Sequence, residues 1–91
     1  MNQPTFALVG YLNQVNEPGV ILALWKCLTA TNPKMPHQYF VRHDAVPQTK
    51  IPLASPIPLA DRQLVHLHGY KNPFYVRLYS SDAIQHQLSC N

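Results

Sequence analysis

The stretch VHLHGYKNPFYVRLYSSDAIQ, residues 65–85, concentrates the groups of this chain that do chemistry. His66, His68 and Tyr70 alternate, a Lys-Asn-Pro break follows at 71–73, and Arg77 then stands between Tyr75 and Tyr79. Three chemistries use such residues: metal ligation by imidazole, stacking of nucleobases on rings beside a guanidinium, or simply the polar side of a β-hairpin. A closed structural metal site needs about four ligands and a catalytic one about three. His37 or His43 could join His66 and His68 across a barrel, but no acid or cysteine stands at local spacing. Exposed histidines, with no metal and no other cofactor, are the expectation.

Catalysis has still less to build on. Cys27 with a distant histidine, or Asp44 beside His43, are the available dyads, and the chain holds only 4 carboxylates. It contains no glycine-rich phosphate loop, no G-x-S-x-G elbow and no HExxH. A binding protein is expected, not an enzyme.

Stacking has more material. Single-stranded nucleic acids are held by bases lying on aromatic rings while cations track the phosphates, at about 1–3 kcal/mol per stack. Trp25 with Lys26, Tyr39 with Arg42, and Tyr75, Arg77 and Tyr79 supply that combination. For Trp25 and Tyr39 the competing role is to complete a small core, as large aromatics usually do.

Composition bounds these choices. The 91 residues make one domain, 1–91, and such a short chain buries only about 60–65 % of its unfolded surface. Modest stability and a homodimer are therefore expected. Apolar residues make up 46 % and charged ones only 12 %, half the usual share, which suits a surface partly covered by a partner. The net charge of +3 is scattered and argues only weakly for a nucleic-acid partner. Cys27 and Cys90 form no CxxC pair, so reduced thiols in a cytoplasmic protein are expected. MNQPTFALVG lacks the features of a signal peptide. VILALW is too short to span a bilayer, so no membrane association is expected.

The elements that must position these side chains follow from periodicity and punctuation. TFALVGYLNQV (5–15) reads as a strand bent at its glycine, NEPG (16–19) as a turn with Pro18-Gly19 as its type II pair, and VILALWKCL (20–28) as a second strand. ATNPKMP (30–36) is a loop and HQYFVRHD (37–44) a third strand. The segment 45–61 carries four prolines and repeats IPLA at 51–54 and 57–60. Proline excludes helix and central strand there, leaving an extended, partly polyproline connection over 45–60. RQLVHLHGY (62–70) and FYVRLYS (74–80) read as the fourth and fifth strands around a KNP turn. The remainder, 81–91, reads as a helical turn capped by Ser81 or Asp82, or as an extended tail.

Alternation divides the last hairpin into two faces. Val65, Leu67, Gly69, Phe74, Val76 and Leu78 form a core face, with the glycine at a barrel bend, and His66, His68, Tyr70, Tyr75, Arg77 and Tyr79 the other. The pattern apolar-x-apolar-x-Gly-Tyr, a short hairpin and a strand ending LYSSDAIQ resembles the last two strands of oligonucleotide-binding (OB) folds. It is most similar to the bacterial single-stranded-DNA-binding protein family, including primosomal replication protein N, and FALVGYLNQV adds a looser match. The resemblance covers roughly the last third of the chain. It departs where prolines replace a helix between strands three and four, and where KNP replaces a long basic loop.

The resemblance implies an all-β, five-stranded antiparallel OB-like barrel that binds single-stranded DNA or RNA, in replication or recombination, on its strand-two and strand-three face. Trp25, Lys26, Tyr39, Arg42, Tyr75, Arg77 and Tyr79 are the expected contacts. The alternative is a protein-interaction or subunit module that docks a protein partner through Ile51, Leu53, Ile57 and Leu59. The same aliphatics could instead pack over their own barrel end.

Overall fold

The computed structural model describes residues 5–29, 32–43 and 45–79. They form β1 (Phe6–Gln14), β2 (Ile21–Cys27), β3 (His37–His43), β4 (Val46–Ser55), β5 (Leu64–Val65) and β6 (Phe74–Leu78). All strands belong to one antiparallel 6-stranded sheet in the order β4-β3-β2-β1-β6-β5. No helix occurs among the described residues, and so none long and apolar enough to cross a membrane. The β5–β6 hairpin returns past the β1–β4 meander, so that β6 lies beside β1 and β5 takes the outer edge.

The sheet curls as a half-barrel around a single cluster of side chains. Leu22 and Leu24 of β2, Tyr39 and Val41 of β3, and Phe74 and Val76 of β6 alternate into it with outward-facing neighbours. β1 changes phase. Ala7 and Val9 point inward, the register shifts between Leu8 and Gly10, and Leu12 and Gln14 point inward beyond it. The extra residue is a β-bulge, which bends its strand and moves later side chains to the opposite face. Gly10 stands against the backbone of β6, where a Cβ atom would collide with the Arg77 carbonyl. Glycine alone allows that approach.

The proline-rich segment corrects the expectation of a bare connection. Ile51–Ser55 of this segment pair with β3, Tyr39 opposite Leu53 and Val41 opposite Ile51. The register breaks between Val41 and His43, and Val46 then stands opposite His43, giving six strands in place of five. The prolines do exclude a central position. β4 is an edge strand, where one side of the backbone needs no partner and Pro47 and Pro52 are tolerated. The chain then crosses the open side of the half-barrel. Leu59 is buried there, its N–H donating to the Tyr39 hydroxyl at 3.0 Å. Arg62 N donates to the Val76 carbonyl, and Val76 N to the Gln63 carbonyl at 2.8 Å, so this crossing joins β6 before β5 begins.

The expected strand over 62–70 shrinks to Leu64–Val65. Leu67 turns into the core, the Tyr70 ring meets Phe74 edge-on at 5.1 Å, and Tyr70 N donates to the Leu67 carbonyl. Gly69, at φ 94°, therefore serves this turn rather than a barrel bend. Tyr70 belongs to the core and not to the polar face, while Leu78, expected inside, is 37 % exposed. In the first turn Val20 N does donate to the Glu17 carbonyl across Pro18-Gly19, but the left-handed residue is Asn16, at φ 66°. The tail 81–91, with its expected cap at Ser81 or Asp82, lies outside the described residues.

Gly10→Ala should lower stability by about 1–3 kcal/mol, because the obstacle is backbone and cannot step aside. At about 4–8 °C per kcal/mol for a domain of this size, thermal denaturation followed by circular dichroism will resolve it. Gly19→Ala, whose Cβ meets nothing within 4 Å, is the control and should melt close to the parent.

Candidate nucleic-acid interface

The face of the sheet opposite the core is a grid set by strand register. In one row across the strands stand Pro52, Phe40, Trp25 and Leu8, each paired with the next. The adjacent row holds Arg42, Ala23, Tyr11 and Arg77, and the next Ile21, Asn13, Tyr75 and Leu64. Neighbouring strands lie about 4.8 Å apart, so Arg42 and Arg77, three strands from each other, bracket a surface about 14 Å wide.

Within the first row Trp25 and Phe40 stack at 6.0 Å with an interplanar angle of 4°, and Phe6 meets Phe40 edge-on at 4.9 Å. Cations lie over these rings. The Arg42 guanidinium is 6.0 Å from the Trp25 ring centre and Lys50 Nζ is 5.4 Å from that of Phe40. Such contacts contribute about 0.5–1 kcal/mol where exposed, and they hold the charge beside the ring. Tyr11 and Tyr79 tilt toward each other at 6.1 Å. Ala23, small among large neighbours, lies in the lining of a hollow of about 320 Å³ with Leu8, Tyr11, Asn13, Ile21 and Tyr79. A second hollow, of about 280 Å³, opens between Tyr11, Asn13, Tyr75, Arg62 and Arg77. Arg77 pairs through Nε with Asp61 at 3.3 Å, and the same Asp61 oxygen accepts from Leu78 N.

Five of the seven expected contacts share this face: Trp25, Arg42, Tyr75, Arg77 and Tyr79. The other two do not. Tyr39 is 6 % exposed and its hydroxyl is engaged by Leu59, so its ring is core. Lys26 lies on the same inner side, its Nζ 5.7 Å from the Tyr39 ring centre. Adjacent strand residues face opposite ways, so Trp25 with Lys26 could never act together. The reasoning from sequence missed Phe6, Tyr11, Phe40 and Lys50. Phe40 was readable from alternation with Tyr39, but Tyr11 faces outward only because of the bulge.

The aliphatic docking set is divided. Leu59 is buried, Ile51 and Leu53 pack against the core, and only Ile57, 64 % exposed, stands clear. These side chains cover their own half-barrel. His66 and His68 are exposed on the connection after β5, and His43 Nδ1 accepts from Ala45 N at 3.0 Å. Among the described residues no three His, Cys, Asp or Glu side chains converge. No family model, curated protein or solved structure matches the chain. What the face does is therefore a matter of its own geometry.

Tyr39→Phe separates the core from the ring surface. Loss of the hydroxyl leaves the buried Leu59 N–H unpaired, a cost of about 1–3 kcal/mol. Thermal denaturation should record that loss, whereas oligonucleotide affinity, measured well below the melting temperature, should match the parent.

Proposed function

We propose that this chain is a non-catalytic single-stranded nucleic-acid-binding protein, an OB-like half-barrel that holds DNA or RNA on its outer sheet face in replication or recombination. The observation that carries the reading is the Trp25–Phe40 stack with Arg42 and Lys50 over it, on the side of the sheet away from the core. Rings on a rigid sheet receive bases by stacking without regard to sequence, and Arg42 and Lys50, which lie over these rings, would turn to the phosphates as bases take the ring faces. OB folds bind oligonucleotides on the face of their second and third strands. Trp25, Phe40 and Arg42 stand on β2 and β3, and the curled antiparallel sheet supports the OB-like description.

The test is fluorescence anisotropy with labelled oligonucleotides at two salt concentrations. Three phosphate contacts, from Arg42, Lys50 and Arg77, release about 0.7 counterion each on a single strand, so raising salt from about 50 to about 200 mM should weaken binding roughly twentyfold. Arg42→Ala should reduce the salt slope by about 0.7, and Trp25→Ala should cost about 1–3 kcal/mol of affinity whatever the sequence. Absence of binding at low salt would reject the reading.

A further inference from the structure

We infer that the hollow at the β6 side of this face holds the terminal phosphate of the bound strand; this rests on the nucleic-acid reading above. Two guanidinium groups meet there. Arg77 stands on β6 directly opposite Tyr11, and Arg62 enters from the crossing segment. Both line the hollow of about 280 Å³ together with Tyr11, Asn13 and Tyr75. One Asp61 oxygen accepts from Arg77 Nε at 3.3 Å and from Leu78 N at 2.9 Å, which holds the guanidinium by its Nε side. Asp61 does not line the hollow, and Arg62 makes no ion pair among the described residues. Two cations against one carboxylate leave the site positive.

Arg62 stands where arginine is out of place. Its φ of 69° is left-handed, a conformation that glycine enters freely and a bulky side chain rarely adopts. Its N–H donates to the Val76 carbonyl at 2.6 Å, which fixes that turn against β6. Strain of this kind collects at ligand clamps. The ligand follows from counting groups. An internal phosphate of a strand offers two free oxygens and one charge, whereas a terminal phosphate offers three oxygens and a charge of about −1.5 to −2. Guanidinium forks take phosphate oxygens in pairs, so two forks on one site call for the third oxygen and the second charge. The location agrees. Only Leu64 of the two-residue β5 lies beyond Tyr75 in its row, so a strand lying over Trp25 and Phe40 meets no further ring past this hollow.

The experiment compares three oligo-dT strands of one length on the unaltered protein, each labelled at an internal base: 5′-phosphorylated, 3′-phosphorylated, and hydroxyl at both ends. A phosphate at one end should tighten binding about tenfold, the lower range for a hydrogen bond to a charged group, and that end gives the polarity of the bound strand. Arg62→Gly should melt close to the parent, because glycine takes the left-handed backbone without steric cost, and should bind the phosphorylated and hydroxyl strands alike. Lys34→Gln, in the loop before β3 and outside the lining, removes the same charge and should keep the preference. Equal affinity of the parent for all three strands, or an equal gain from either phosphate, would overturn the clamp while leaving the binding function standing. A preference kept by Arg62→Gly, or lost equally in Lys34→Gln, would overturn it too. Failure to bind any strand would overturn the function and the clamp with it. Should Arg62→Gly fail to fold, the three strands on the parent still decide the matter.

Discussion

The β1 part of the outer face, and the way β1 meets both its neighbours, depends on the bulge at Val9–Gly10. A strand has a period of two, so one extra residue reverses every side chain beyond it. Upstream, Ala7 and Val9 are core and Phe6 and Leu8 face out; downstream, Leu12 and Gln14 are core and Tyr11 and Asn13 face out. Without the shift, Tyr11 and Asn13 would be driven inward and Leu12 outward, at a cost the small core could not absorb. The bulge persists because Gly10 lets the β6 backbone close against β1. One residue without a side chain thus joins the return hairpin to the first strand, and the bulge beside it turns Tyr11 and Asn13 outward.

The open side of the half-barrel poses the complementary problem. Among the described residues no second layer covers the core, and irregular segments of the chain cover it instead. Leu59 from the crossing and Leu67 and Tyr70 from the β5–β6 connection fill the space that a closed barrel would give to a strand. The Tyr39–Leu59 hydrogen bond ties that cover to the sheet from inside. β4, at one edge, carries prolines that cannot donate to another strand, and β5, at the other, pairs over only two residues. Both edges are therefore poor templates for further pairing.

Much of the fold was legible in local pattern. β1, β2, β3 and β6 follow alternation and turn signals to within a residue or two at most ends. β4 was hidden because proline speaks against a strand in general, while its objection holds only for a central one. The strand over 62–70 was over-read because its alternation continues through Leu67 and Tyr70, which are buried by a turn and not by a sheet. Legibility of the site had a sharper limit. Trp25, Arg42, Tyr75, Arg77 and Tyr79 fall on one face, and Phe40 needed only the parity that removed Tyr39. Asn13 and Tyr11 were beyond reach, since a bulge changes parity without any change in the pattern of residue types around it.

The distribution of rings is the reverse of what stability alone selects. Aromatics are the largest apolar side chains, and burying them contributes most to a small core. The chain has one Trp, five Tyr and three Phe, yet only Tyr39, Tyr70 and Phe74 serve the core, which is otherwise aliphatic. Phe6, Tyr11, Trp25, Phe40, Tyr75 and Tyr79 are spent on the opposite face, with Tyr75 and Tyr79 43 % and 39 % exposed. Contiguous apolar faces are a general property of interaction surfaces. Protein-docking faces are enriched in arginine and depleted of lysine; Arg42 lies over the Trp25 ring near the middle of this face, and Lys50 over Phe40 at its edge strand. The proposed ligand, a stacked, phosphate-linked strand, requires flat apolar surface and positive charge at the same positions.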